Sequence, residues 1–282
     1  MKIHESFLAE LKKLLPPEQI DPFLDACQVP LKKSITINTT KMSANEFVKL
    51  TKPRWWHLEA NRFTQDPITF YIDRDNLEIA LGRTFLHQAG FFYIQEIAAS
   101  LPATQVPIKA GDLVLDMAAA PGGKTSQLAN SLLAEANPGL VVANDVNGKR
   151  LKSLAHNLNQ WWCYNTMITK FNGFSFGKNL PDFFDHVLLD APCSGEGTGY
   201  KSNYAMKFRN KAEINKIAGT QFQLLVSAIK STKIGGTITY STCTLNPYEN
   251  EAILARVLDF FQGTVELVGI SLHNTNEGVT YS

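Results

Sequence analysis

Two of the four cysteines in this 282-residue chain stand in matching surroundings. Cys193 lies in "LLDAPCSGEG", from Leu188 to Gly197, and Cys243 in "YSTCTLNPYENE", from Tyr240 to Glu251. Each follows a short apolar or β-branched run, the kind that forms a buried strand. A thiolate is strongly nucleophilic near neutral pH and leaves readily, so a cysteine at a strand end suits covalent catalysis. One reaction that needs such a group is methylation of cytosine at C5. That carbon is too electron-poor to attack a methyl sulfonium directly. A thiolate added at C6 makes C5 enamine-like and nucleophilic. A proton donor or hydrogen-bond partner at N3 assists the addition, and Asp190, two residues before Pro192, is placed for that task. Burial would keep it protonated, or sharing a proton, during the reaction. A base then removes the C5 proton and the thiol is eliminated. Cys27 and Cys163 read instead as small buried hydrophobes, the common fate of a free cysteine.

A third stretch, "LDMAAAPGGKT" from Leu115 to Thr125, joins an apolar run to a helical one through small residues. Small side chains let backbone N–H groups approach a ligand at a helix N-terminus, where negative charge is favoured. A nucleoside triphosphate loop would require G-x-x-x-x-G-K-[ST]. Gly123, Lys124 and Thr125 match its end, but Ala118 occupies the first glycine position. The other ligand that fits is S-adenosylmethionine. It requires an acidic residue after the next strand for its ribose hydroxyls, and "VVANDVNGKR" supplies Asp145.

These stretches need a frame that brings strand ends together. From about Ile108, short apolar runs ("DLVLDM", "GLVVAND", "NTMITKF", "HVLLD", "GTITYST") alternate with helical segments. That rhythm predicts an α/β fold whose parallel sheet is covered on both faces, with ligands at the carboxyl ends of the strands. "TVELVGI" reads as a sixth strand. Before Ile108, "HESFLAELKKLL" has helical spacing, "SITINTT" alternates like a strand, and "SANEFVKLT" opens with Ser43 as an N-cap. "HQAGFFYIQEIAASLP" reads as helical and apolar, ending near Pro102 and Pro107.

Composition sets outer limits. The chain is 44% hydrophobic and 19% charged, with a net charge of +1. No apolar run is long enough to span a bilayer, and the N-terminus lacks the pattern of a signal peptide. A cytoplasmic protein with reduced thiols is expected, with no membrane contact. No CxxC pair appears, so no metal is expected. Basic residues cluster at Lys32 and Lys33 and again at Lys201, Lys207, Arg209 and Lys211. The tryptophans of "PRWWHLEANRF" read as core.

Taken together, "LDMAAAPGGKT", "LLDAPCSGEG" and "YSTCTLNPYENE" resemble the NOL1/NOP2/Sun family of RNA cytosine-5 methyltransferases, its bacterial ribosomal RNA members most of all. "LKKSITINTTK" and "FYIQEIAASLP" extend the resemblance over nearly the whole chain. It implies a Rossmann-like class I S-adenosylmethionine methyltransferase domain over 108–282, a helical linker over 76–107, and a small N-terminal α+β RNA-binding domain over 1–75. Ala118, Ala119, Ala120, Pro121, Gly122, Gly123 and Lys124 would line the cofactor site. Asp145 would hold the ribose, and Asp190 would lie between cofactor and base. Cys243 would be the nucleophile. Cys193 would help release the product, serving as or assisting the base. The residues alone permit either cysteine to attack, since DNA cytosine-5 methyltransferases use one that follows a proline.

The chain departs from the family where Asp-Gly-Arg is usual after the third strand. It has Asn172, Gly173 and Phe174, and Asn172 retains a carbonyl oxygen for the adenine amino group. The sequence stops at Ser282, before the family's antiparallel seventh strand and further RNA-binding domain, which reads as a truncation. The implied substrate is a cytosine in RNA, unpaired or flipped from its stack. Ribosomal RNA or the small ribosomal subunit is favoured and transfer RNA is an alternative. The enzyme is expected to be a monomer, with Lys32, Lys33 and Lys41 forming one wall of an RNA groove. "GYKSNYAMKFRNK" would offer cations and aromatic rings to RNA. A catalytically impaired RNA-binding module of the same fold is the rival reading. A nucleotide hydrolase is a third.

Overall fold

The apolar spacing of "ESFLAELKKL" and "PEQIDPFLDACQ" forms helices α1 (Glu5–Leu14) and α2 (Pro17–Gln28). There follow β1 (Ser34–Ile37), α3 (Ala44–Thr51), β2 (Trp56–Ala60), β3 (Thr69–Arg74), α4 (Phe85–Gln88), β4 (Phe92–Ile94) and α5 (Ile97–Thr104). The alternating part begins with β5 (Leu113–Asp116), α6 (Gly123–Leu133), β6 (Leu140–Asn144), α7 (Gly148–Gln160) and β7 (Thr166–Thr169). It continues through α8 (Phe176–Asn179), β8 (Phe184–Asp190), α9 (Lys211–Ser231), β9 (Thr232–Ser241) and α10 (Glu251–Phe261). This computed structural model describes residues 4–63, 68–75, 77–134, 138–201 and 210–270. The chain forms two compact units. One comprises Met1–Leu31, Ala191–Leu225 and Ser241–Leu267; the other comprises Lys32–Asp190, Val226–Tyr240 and Val268–Ser282.

The second of these units holds both sheets. The small sheet has the order β2-β3-β1-β4 and is antiparallel. All four residues of "SITI" are buried in β1, and Ile35, Ile37, Phe70, Ile72 and Phe92 form a core with Phe47 of α3. A capping box starts α3. The Ser43 hydroxyl accepts the Glu46 N–H at 3.3 Å, and the Ser43 N–H donates to Glu46 Oε2 at 3.0 Å. Trp56 packs on this core, whereas Trp55 is exposed.

The helix expected across 87–102 is interrupted. Gly90 takes φ +71°, and a Cβ there would lie 1.9 Å from the Gln160 carbonyl oxygen. The chain turns at Gly90, and Phe92–Ile94 then pairs with β1. Long-range pairing overrides the local helical pattern.

Lys41 also differs from expectation. Its ammonium donates to the carbonyls of Ala89 and Gln160, at the ends of α4 and α7, and lies 4.1 Å from the Trp162 ring centroid. Asn38 Nδ2 donates to Gly90 O at 3.0 Å and Trp161 O at 2.9 Å. Carbonyls at helix C-termini carry partial negative charge and lack helical donors. Lys41 therefore joins the small sheet to α7 and is not left to a groove wall. Burial pushes its pKa down.

The large sheet has the order β7-β6-β5-β8-β9, with β6–β7, β5–β6 and β5–β8 parallel. This is the Rossmann-like sheet expected from the strand–helix rhythm. Val114, Val141, Ala143 and Leu188 of its strands pack against Leu128 and Leu132 of α6 and Leu154 and Leu158 of α7. Strand order reverses between β5 and β8, which opens a crevice at their carboxyl ends. At the opposite end His186 bridges Asp112 at 3.0 Å and Thr237 at 2.8 Å, tying β8 to its neighbours.

In the other unit, α1 and α2 pack Phe7 and Leu11 against Ile20, Phe23 and Leu24. The sixth strand expected at 264–270 is absent, because the run has no strand partner among the described residues. Leu267, Val268 and Ile270 are exposed. No described helix is long and apolar enough to cross a membrane.

Candidate active site

The loop from β5 to α6 begins at Asp116, which is 1% exposed. Thr125 Oγ1 donates to its Oδ2 at 2.7 Å. Burial raises the Asp116 carboxyl from 3.8 to about 6, partly opposed by the Thr125 hydrogen bond and the Lys124 charge. The folded chain therefore holds an extra proton between those values. Stability from this group is fully present below pH 3.8 and is lost as pH rises through about 6. The loss amounts to roughly 3 kcal/mol at about 1.36 kcal/mol per pKa unit. Asp116→Asn removes the titration and keeps an acceptor for Thr125. Denaturant unfolding from about pH 4 to about pH 7 should show the wild type losing ground to this variant. Parallel stability curves would refute the assignment.

The loop is shaped for close approach. Gly122 precedes α6 at φ +109°, and a Cβ on it would come 2.9 Å from Leu154 Cδ1. A Cβ on Gly123 would come 3.0 Å from Tyr93 Cε1. The first N–H groups of α6 follow directly, a setting that suits a carboxylate or a polar ligand.

Asp145, expected at the ribose, is 2% exposed and already engaged. Its Oδ1 accepts the Asn147 N–H at 2.8 Å, and its Oδ2 accepts the Ala120 N–H at 3.3 Å. Arg150 Nη1 lies 3.2 Å from Oδ2, and Arg150 Nη2 also donates to Ala120 O. The carboxylate thus fastens the glycine loop to the end of β6. Asn172 follows β7, exposed, and its Oδ1 accepts the Phe174 N–H at 3.1 Å, which leaves one lone pair. Val146 and Phe171, which follow β6 and β7, are exposed apolar side chains of the kind an adenine ring packs against. Sequence reading passed over both because single apolar residues beyond a strand carry no periodic signal.

Asp190 closes β8. Its side chain is 38% exposed, so its burial is only partial, and Lys124 Nζ donates to Oδ2 at 2.7 Å. Asp190 is thus half of an ion pair and not an isolated carboxyl.

The two cysteine turns lie in the other compact unit. Cys193 Sγ and Cys243 Sγ are 3.2 Å apart, and the Cys243 N–H points at Cys193 Sγ at 3.4 Å. Cys243 is exposed and Cys193 half-buried. The Cys193 thiol is pushed far up by its hydrogen bond to Cys243, then by burial and by the charges of Cys243 and Glu249. The two sulfurs thus lie within hydrogen-bonding distance, and either can be the donor. Around them lie Glu196, 5% exposed, and Glu249, 0% exposed. Both carboxylates stand within the two cysteine motifs, where nothing in the local spacing marks them out.

Most of "GYKSNYAMKFRNK" lies outside the described residues, including Lys207 and Arg209. Lys32 and Lys33 stand in a groove of about 830 Å³ with Lys52, Trp56, His57 and Tyr71. Lys32 lies 5.7 Å from the Tyr71 ring centroid and 3.4 Å from Glu59.

The chain matches known proteins over most of its length. The family described as 16S rRNA methyltransferase RsmB/F matches residues 103–281, and the N-terminal domain of 16S rRNA methyltransferase RsmF matches 3–97. Ribosomal RNA small subunit methyltransferase F of Vibrio cholerae is 43% identical over 256 residues, which are 90% of this chain and 53% of that protein. The Escherichia coli protein of the same name is 40% identical over 268 residues, 94% of this chain and 55% of its own length. The chain thus spans about half the length of the curated relatives it matches. Among solved structures, a methyltransferase homolog from Pyrococcus horikoshii superposes with a TM-score of 0.75 at 31% identity, covering 86% of this chain and 74% of that one. NSun6 from the same organism gives 0.79 at 19% identity, covering 92% and 88%, and attests the fold.

Proposed function

Because this chain belongs to the 16S rRNA methyltransferase RsmB/F family, we propose that it methylates C5 of a cytosine in RNA. S-adenosylmethionine is the methyl donor, and the reaction passes through a covalent adduct of Cys243 with C6. Ribosomal RNA of the small subunit is the substrate, met in the cytoplasm by a single copy of the chain. The observation that carries the reading is the thiol pair, 3.2 Å apart just beyond β8 and β9. A nucleophile that must also leave needs such a neighbour.

The β5–α6 loop would suit the cofactor, since its small residues and Gly122 at φ +109° lead the backbone straight into the α6 N-terminus, where N–H groups favour a polar ligand. When bound, S-adenosylmethionine supplies an electrophilic methyl group. Ala118 to Lys124 would hold it, with Asp145 at the ribose and Asn172 at the adenine. The chain's own residues do the rest. Cys243 attacks C6 as a thiolate, accepting the Cys193 S–H hydrogen bond until the new C–S bond forms. Lys124 and Asp190 supply the hydrogen bond or proton at N3 as charge builds on the ring. C5 takes the methyl group and then gives up its proton to a base, a step Cys193 assists. The C6–S bond breaks, and the Cys193 S–H receives the departing thiolate. Residues 1–75 would carry RNA, with Lys32, Lys33 and Tyr71 offering charge and a ring.

The test uses radiolabelled S-adenosylmethionine with small-subunit ribosomal RNA from cells that lack the enzyme. Label at C5 of one cytosine is expected, mapped by bisulfite sequencing. Transfer RNA run in parallel decides the substrate class. No incorporation into either RNA would sink the proposal.

A further inference from the structure

Each cysteine is followed by a hydroxyl residue, and the two hydroxyls meet. Ser194 Oγ lies 2.9 Å from Thr244 Oγ1. Both also reach buried carboxylates. Ser194 Oγ lies 2.5 Å from Glu196 Oε2 and touches Glu249 Oε1, while the Thr244 hydroxyl donates to Glu196. Glu249 Oε2 accepts the Ser194 N–H at 2.9 Å and Gln221 Nε2 at 3.0 Å. Gln221, 0% exposed, also donates to the carbonyl of Pro192, the residue before Cys193. From the other side, the Gly197 N–H donates to the carbonyl of Cys243 at 3.0 Å.

The backbone is thus held on both sides of Cys193 and at Cys243 itself. Two carboxylates buried close together are costly, and apolar residues would fill the same volume at lower cost. Neither carboxylate is needed to continue a strand or to cap a helix of the large sheet. What their hydrogen bonds do fix is the spacing of two turns that carry one sulfur each.

We propose that Glu249 and Glu196 are positioning residues that act through Ser194 and Thr244 to hold the two thiols at hydrogen-bonding distance. The catalytic consequence rests on the roles given above to Cys243 and Cys193, since the thiolate can be received on release only if the Cys193 S–H stays beside it.

Disulfide closure by diamide measures the spacing directly. Two S–H bonds break and one S–S bond forms, and two electrons and two protons reduce the diamide N=N bond to a hydrazine. In wild type the two sulfurs should close rapidly. Thr244→Val and Glu249→Gln should each slow closure by about 10- to 100-fold, the scale set by misplacing reacting groups by about 1 Å. Thr244→Ser, which restores the hydroxyl, should close at the wild-type rate. Thermal unfolding establishes that each variant is folded, and Ser194→Ala replaces any that is not. With RNA and S-adenosylmethionine, Thr244→Val should also accumulate denaturation-resistant adduct. Wild-type closure in folded variants overturns the proposal, as does slow closure with no adduct accumulation in an enzyme that turns over. Closure needs neither RNA nor cofactor, so this arm still reports on the clamp if the methyl-transfer reading fails.

Discussion

Cys243→Ala is expected to abolish methyl transfer and leave no covalent protein–RNA species, whereas Cys193→Ala should attack normally and stall as a denaturation-resistant adduct. The asymmetry follows from the roles proposed for the two sulfurs. Cys243 is exposed and attacks carbon, while Cys193, half-buried with its thiol pushed up, lies 3.2 Å away. Its removal takes away the only route to a nucleophilic C5, so turnover should fall by roughly four orders of magnitude or more, the scale for loss of a covalent nucleophile. Removing Cys193 leaves the attack intact but strips the donor that receives the thiolate on release. The measurement is gel mobility after denaturation, with RNA and S-adenosylmethionine present, beside a methyl-transfer assay. Mutants that behave the other way round would give Cys193 the attacking role, as in the enzymes that place their nucleophile after a proline. Two inert mutants with no adduct would remove covalent catalysis altogether.

The parts of this protein that were legible from the sequence are those fixed by local pattern. Short apolar runs separated by helical spacing gave the large sheet, because a strand buried on both faces must be apolar throughout. The Ser43 N-cap was legible for the same reason, since a cap and the helix it starts are neighbours in sequence. Local pattern failed wherever a distant partner decided the outcome. Phe92–Ile94 is a strand because β1 lies beside it, and 264–270 is not, because no described strand does. Lys41 looked like a surface cation, but two helix ends and the Trp162 ring claim it. Glu196 and Glu249 stand in polar turns where nothing local marks them for a role. Glu249 meets Gln221, which lies in a helix between the two motifs, and Glu196 meets Ser194 and Thr244. Spacing alone placed Cys193 and Cys243 at strand ends. It carried no information on which one attacks, because the surroundings that push the Cys193 thiol up, its hydrogen bond to Cys243 and its burial, come from distant parts of the chain.

Asp145→Ala should weaken S-adenosylmethionine binding by about 100-fold, close to 3 kcal/mol at about 1.4 kcal/mol per factor of ten, and should also lower the unfolding temperature. The sequence assigns this carboxylate to a ribose, and the structure gives it a second task. It accepts the N–H groups of Asn147 and Ala120 and pairs with Arg150, so the glycine loop and the end of β6 hang on one buried side chain. Hydrogen bonds to a charged group contribute about 1.5–3 kcal/mol each, and the orphaned N–H of Ala120 adds a desolvation cost. Arg150 is more than half exposed, so water takes over much of its loss. The two tasks separate by comparison with Arg150→Ala, which loosens the loop and leaves the carboxylate in place. If Asp145 contacts the ribose, its removal should cost at least about tenfold more affinity in titration calorimetry than removal of Arg150. Equal losses would reduce Asp145 to a loop anchor, and a loss under about threefold would remove it from the cofactor site. Asp145→Asn refines the result, since it keeps a carbonyl for the Asn147 or Ala120 N–H but offers a ribose hydroxyl a neutral acceptor, so it should regain stability before it regains affinity.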